Sequence, residues 1–268
     1  MQNTLAVVAL GTIRNNAKKI IEYAGGTPLY AVVKDDAYGH GAAHVAAALS
    51  GVASAFAVST VDEGVALRLY GNSEEILVFT PPLDREEVFR AAAYNLTLSI
   101  TSPASLSLIL KSGEQVKAHI ALDTGMNRYG FRENTLARAI VRCKNAGINV
   151  TGVYSHFYCP EDRSETKIQR LRFAAGAGLV RETYPDAVRH IAATGGILSG
   201  CENYFDAVRA GIGLYGYLPR GFDNAFGVKP AMRLYATVCH NGKFSGGGVG
   251  YQKADRAFGN LHTLRMGY

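Results

Sequence analysis

Short apolar runs alternate with helical patterns through most of the chain. Runs at 29–33, 55–59, 76–80, 96–100, 116–122, 150–155, 188–192 and 207–212 have the length and composition of buried strands. Helical periodicity fills gaps between them at 60–69, 85–94, 103–111, 134–145 and 165–183. The first of these helices carries its own signals: Thr60 and Glu63 form a capping-box pattern, and Gly71 follows its end. Strands alternating with helices in this way predict an α/β chain whose parallel sheet closes as a (β/α)8 TIM barrel. An open doubly wound sheet is the alternative, because periodicity does not report closure. No Gly-x-Gly-x-x-Gly follows the first strand, which weighs against a dinucleotide site.

A further apolar run at 5–10 precedes these strands and is expected to pair outside the barrel. After Pro219 the texture changes. Residues 232–240 read as a strand, 241–250 are glycine-rich, and 261–268 read as another strand. The resulting organisation is a barrel domain over 1–225 and a partial β-rich domain over 226–268.

The 268 residues are 48% hydrophobic and 19% charged, enough for one large α/β domain with a small companion. The net charge of +6 is scattered apart from short clusters such as 163–172. Basic residues do not interleave with aromatics along one face, so no nucleic-acid surface is expected. A pocket for a phosphate or carboxylate suits the charge. Cys143, Cys159, Cys201 and Cys239 form no C-x-x-C pair. No metal site and no disulfide framework are expected, which suits a reducing cytoplasm. The run at 5–10 is too short to span a bilayer and lacks the flanks of a signal peptide, so no membrane role is expected.

On a barrel, the chemically interesting residues gather at the C-terminal rim, where such folds place their sites. Lys34 ends the first strand in Ala31-Val32-Val33-Lys34-Asp35-Asp36-Ala37-Tyr38-Gly39-His40-Gly41. An amine half out of water there is a nucleophile toward aldehydes; a surface lysine closing a strand is the plainer alternative. Arg128 lies in the loop Asp123-Thr124-Gly125-Met126-Asn127-Arg128-Tyr129-Gly130-Phe131. His156 ends the sixth strand, Thr194 ends the seventh, and Arg209, Gly211 and Ile212 lie at the eighth. Glycines at 195, 196, 211 and 213 would let backbone N–H groups approach a phosphate, although ordinary turns also explain them. Arg209 could instead pair with Asp206 or another surface carboxylate. Tyr251 could be an ordinary tyrosine of a glycine-rich hairpin.

Five blocks, 31–41, 123–131, 152–157, 205–218 and 248–251, resemble segments of the bacterial alanine racemases, in the same order and spacing. The resemblance implies a pyridoxal 5'-phosphate barrel with a C-terminal β domain, acting on alanine as a homodimer whose sites are shared between subunits. Lys34 would hold the cofactor and serve as one proton-transferring base, and Tyr251 of the partner subunit would be the opposite base. A phenol is a weak base at neutral pH, so neighbours must favour its phenolate; His156 and Arg209 are the implied neighbours. Arg209 would face the cofactor's pyridine nitrogen, a donor-only group that stays charged. Tyr38, Thr194, Gly211 and Ile212 would contact the phosphate, Arg128 would steady the substrate carboxylate or the cofactor's phenolic oxygen, and Met266 and Tyr268 fall near the substrate-entry segment.

The chain also departs from the resemblance. Many members carry a carbamate-modified lysine where this chain has Ala121, and often Asn-Ser where it has Ala193-Thr194. Asp35 adds a carboxylate beside Lys34. The family's β domain continues beyond the position of Tyr268, so a truncated domain with weakened dimerisation and activity is expected. Two other functions fit the same residues: a single-barrel pyridoxal-phosphate carrier, and a racemase for serine or another small amino acid.

Overall fold

The computed structural model describes residues 4–253 and 259–266. They form two compact units. One runs from Leu10 to Ala231; the other joins the strand near the N-terminus to the described residues from Met232 onward. Residues 226–231 belong to the first unit.

The larger unit is the barrel. Strands β2 (Leu29–Val32), β3 (Ala55–Val58), β4 (Glu75–Val78), β5 (Thr97–Ile100), β6 (Lys117–Ala121), β7 (Asn149–Tyr154) and β8 (Val188–His190) pair in parallel in chain order, and β9 (Val208–Ala210) pairs with β2. Between β8 and β9 the ladder gives way to single backbone bonds. Asp206 N donates to Arg189 O at 3.0 Å, and Arg209 N donates to Ala192 O at 2.9 Å, which brings the ring round. The strands read as continuous apolar runs because both faces are covered: β2, β3 and β5 are buried at every position.

Four of the helices start where the sequence provides a side-chain oxygen for their unpaired N–H groups. Thr60 and Glu63 form the full reciprocal box on Val61–Leu69. Asp84, Ser102 and Asp162 cap Arg85–Ala93, Pro103–Ser112 and Arg163–Thr183. Two helices escape the periodicity. Leu10–Tyr23 buries Ile13, Ala17 and Ile20 with a polar residue, Asn16, among them. Asn16 Nδ2 donates to the carbonyls of Leu214 and Lys229, so the polar interruption of the stripe is itself a structural contact. Ala42–Leu49 is so rich in alanine that its faces hardly differ. No helix among the described residues is long and apolar enough to cross a membrane.

In the smaller unit, β1 (Thr4–Val8) pairs antiparallel with β10 (Met232–Ala236), from Thr4 opposite Ala236 to Val8 opposite Met232. The apolar run expected at 5–10 is therefore a strand only to Val8, and Leu10 already begins a helix. The expected strand at 232–240 breaks after Ala236: β11 (Val238–Phe244) pairs instead with β14 (Gly259–Leu264). The end of β11 lies inside the glycine-rich stretch at 241–250, beyond the expected strand end at 240. A short hairpin, β12 (Gly248–Val249) with β13 (Gln252–Lys253), completes the unit.

Candidate active site

Lys34 stands where β2 ends, its side chain 37% exposed and its Nζ 3.8 Å from Asp35 Oδ2. The backbone then does something the sequence gives no sign of. Asp35, Asp36, Ala37 and Tyr38 all adopt φ between 50° and 56°, a complete left-handed turn without a glycine in it. Left-handed helical geometry costs about 1–2 kcal/mol per non-glycine residue, so such strain persists only where the surroundings over-determine it. Inside the turn, Ala42 N donates to Asp36 Oδ1 at 2.7 Å, and His40 Nδ1 lies 3.1 Å from the carbonyl oxygens of Ala37 and Tyr38. Tyr215 packs against both Tyr38 and His40 and donates its hydroxyl to Val32 O at 3.0 Å.

The turn swings Tyr38 toward β9. A Cβ on Gly211 would lie 2.5 Å from Tyr38 Oη, so any larger residue there would displace the phenol. Burial, then the charge of Asp35, raises the Tyr38 pKa, so the phenol keeps its proton and offers it as a donor. Thr194 is buried and accepts from Gly213 N at 3.4 Å, while Ile212 is exposed at the start of a short turn. Tyr38, Gly211, Gly213 and Thr194 thus share one corner of the rim.

Arg209 is 2% exposed and pairs with no carboxylate among the described residues. Asp206, its alternative partner, is taken by Arg189 in a two-pronged pair at 2.9 Å. Arg209 Nη1 instead donates to His190 Nδ1 at 2.7 Å and His190 O at 3.0 Å. Nη2 donates to Ser155 O at 2.6 Å, Ile191 O at 3.0 Å and His156 Nδ1 at 3.2 Å. Nε has no hydrogen-bond partner among the described residues. Burial lowers the Arg209 pKa to about 10, so it is still a cation at neutral pH.

A buried chain runs inward from Arg209. An arginine only donates, so His190 accepts at Nδ1 and carries its proton on Nε2. That proton points to His119 Nδ1 at 3.0 Å. The remaining His119 proton on Nε2 then faces Glu75 Oε1 at 3.5 Å, and Thr97 donates to the same oxygen at 2.9 Å. Gly152 makes the passage possible. It sits opposite His119 in the β6–β7 register, and a Cβ there would lie 2.5 Å from the His119 ring.

Two imidazoles are kept neutral. Burial, then the charges of Arg209, Arg128 and Lys34, pull His156 down to about 3. Burial, then Arg209 and His119, hold His190 well below its ordinary value. An unfolded histidine takes up its proton near pH 6.5, so below that pH the unfolded state binds more protons than the fold does. Stability from these residues is complete above about pH 6.5 and is lost as pH falls below it, by roughly 1.4 kcal/mol per pH unit for each histidine. Urea titrations between pH 7.5 and 4.5 measure this, and equal midpoints across that window would contradict neutral burial.

Arg128 is exposed on its loop, with its guanidinium over the Tyr129 ring at 4.9 Å. The loop is shaped by Asp123, which accepts from Gly125 N, Asn127 N and Arg132 Nε at 3.0–3.1 Å. Ala121 is buried and offers no polar side chain, so the aromatic ring is what steadies Arg128 here. Tyr251 and Met266 lie in the smaller unit. Tyr251 is fully exposed at the turn between β12 and β13, and Met266 is exposed beyond β14. Tyr268 lies outside the described residues. The rim therefore brings together Lys34, Tyr38, His156, Thr194, Arg209 and Gly211. Sequence reading passed over Glu75, His119 and His190; their signal is the rare polar residue in a strand that otherwise reads as apolar.

The model of the alanine racemase N-terminal domain matches residues 8–219. The alanine racemase of Lactococcus lactis subsp. cremoris is 32% identical over 282 residues, covering 100% of this chain and 75% of the relative. That of Beutenbergia cavernae is 34% identical over 287 residues, covering 98% and 74%. The crystal structure of the biosynthetic alanine racemase from Pseudomonas aeruginosa superposes with a TM-score of 0.89 at 29% identity, over 100% of this chain and 76% of that one. An alanine racemase from Bartonella henselae with covalently bound pyridoxal phosphate gives 0.85 at 26% identity, with coverage of 100% and 76%.

Proposed function

The chain belongs to the alanine racemase family, and from that footing we propose that it interconverts L- and D-alanine, with pyridoxal 5'-phosphate held on Lys34 and two bases, Lys34 and the partner's Tyr251, on opposite faces of the substrate. The observation that carries the reading is Arg209, a buried cation that has no counter-ion among the described residues and whose Nε is left over after its other nitrogens are engaged. The corner around Gly211 fits a phosphate in the same way: a bare glycine faces a protonated Tyr38 hydroxyl where a Cβ would close the gap.

Tyr38, Thr194, Gly211 and Ile212 would hold the phosphate, and Arg209 would face the ring nitrogen. Pyridoxal phosphate, when bound, supplies an electron-withdrawing ring that stabilises negative charge on the substrate's α-carbon. The residues supply the rest. Arg209 donates and cannot take a proton, so it leaves the ring nitrogen unprotonated. His156 accepts from Arg209 at Nδ1, which puts its own proton on Nε2, where it can stabilise a neighbouring phenolate. Arg128 offers a guanidinium to the substrate carboxylate. Inversion needs one base to remove the α-proton and another to return one from behind, the roles given to Lys34 and Tyr251.

The test is D-alanine formed from L-alanine by purified protein with added pyridoxal phosphate, followed by borohydride reduction and peptide mapping. D-alanine together with a label on Lys34 is expected. A label on another lysine overturns the assignment, and a Lys34 label without D-alanine favours a cofactor carrier. Faster inversion of serine would change the substrate and leave the chemistry.

A further inference from the structure

The left-handed turn after Lys34 is tied down from outside by one carboxylate. Asp35 N, the first amide beyond the lysine, donates to Glu63 Oε1 at 2.7 Å. The other oxygen, Oε2, accepts from Ser59 N at 2.6 Å and Thr60 N at 3.3 Å, the usual duty of a capping-box glutamate toward its own helix. Glu63 therefore joins two neighbouring segments of the rim, the start of Val61–Leu69 and the strained turn that carries Lys34.

We propose that Glu63 is a positioning residue for Lys34, holding Asp35–Tyr38 in the left-handed conformation and so fixing where the lysine and Tyr38 point. The inference rests on the reading of Lys34 as the cofactor lysine. Both carboxylate oxygens are acceptors in use. An amide in their place keeps the size but has one acceptor and one donor, so Glu63→Gln cannot serve the helix and the turn together. Thr60→Ala removes only the Thr60 hydroxyl that caps Glu63 N and leaves both carboxylate contacts in place. Ala37→Gly removes strain within the turn itself, because glycine adopts φ near 56° freely.

The experiment measures, for apoprotein, the dissociation constant of pyridoxal phosphate and the melting temperature in wild type, Thr60→Ala, Glu63→Gln and Glu63→Gln/Ala37→Gly. Both single variants should melt earlier. Glu63→Gln should raise the dissociation constant about tenfold, the scale of one lost charge-assisted hydrogen bond, while Thr60→Ala changes it by less than about twofold. The Ala37→Gly exchange should recover most of the loss. Equal weakening in Thr60→Ala and Glu63→Gln, unchanged binding in Glu63→Gln, or no recovery in the double variant overturns the proposal. Borohydride labelling of the wild type separates the two ideas. A label on Lys34 with Glu63→Gln binding normally defeats this inference alone, whereas a label elsewhere defeats the reading of Lys34 and this inference with it.

Discussion

Lys34→Ala is expected to lower racemisation by about 10³-fold or more and to leave pyridoxal phosphate freely dialysable. The residue is assigned two tasks, covalent retention of the cofactor and proton transfer, and a positioned acid–base group alone contributes about 10²–10⁴-fold. The strand behind it is buried and does not depend on the amine, so the melting temperature should change little. A small primary amine added to the medium should restore part of the rate, because the cavity left by the side chain opens to solvent. Tyr251→Phe provides the contrast. With one base left, deuterium from solvent should still enter one enantiomer of alanine while inversion falls by about 10²–10⁴-fold. Inversion at the wild-type rate in either variant would end the two-base assignment.

Gly152→Ala should lower the melting temperature by about 10 °C. The new Cβ would sit 2.5 Å from a ring that is fully buried and cannot swing away without leaving His190. Overpacking costs about 1–3 kcal/mol, and a buried imidazole stripped of its hydrogen bond costs about 1–3 kcal/mol more. In a unit of this size each kcal/mol moves the midpoint by about 2–4 °C. The double-mutant cycle gives a sharper outcome. Once His119→Ala has removed the ring, the same methyl has space, so Gly152→Ala should then cost almost nothing. Additive losses would mean that the glycine is needed for something other than passage of the imidazole.

The strands of the barrel were legible because a sheet covered on both faces writes uninterrupted apolar runs into the sequence. Capped helices were legible for a similar reason: Thr60 with Glu63, and Pro103 after Ser102, are local signals of local structure. Leu10–Tyr23 was lost because Asn16 interrupts its stripe, and Ala42–Leu49 because alanine marks no face. Lys34, Tyr38, His156, Thr194 and Arg209 were singled out in the sequence by their blocks, and their shared rim followed from barrel topology. The left-handed turn could not be read. Asp-Asp-Ala-Tyr has none of the glycines that usually announce positive φ, and one of the contacts on it comes from Glu63, 28 residues further on. The chain from Arg209 to Glu75 was equally silent, since it joins single polar residues from four different strands across a glycine whose dihedral angles are ordinary.

The pairing of β1 with β10 has a consequence for how the protein comes off the ribosome. Thr4 meets Ala236, so β1 waits for a partner encoded more than two hundred codons later. At about 5–20 residues per second, β1 emerges on the order of ten seconds or more before its partner exists, while the barrel strands between them can pair as they appear. During that interval its exposed leucine and valine edge is open to other chains. Yield in a cell should therefore respond to chaperone supply and to translation speed downstream of the barrel, even for a protein whose barrel is sound.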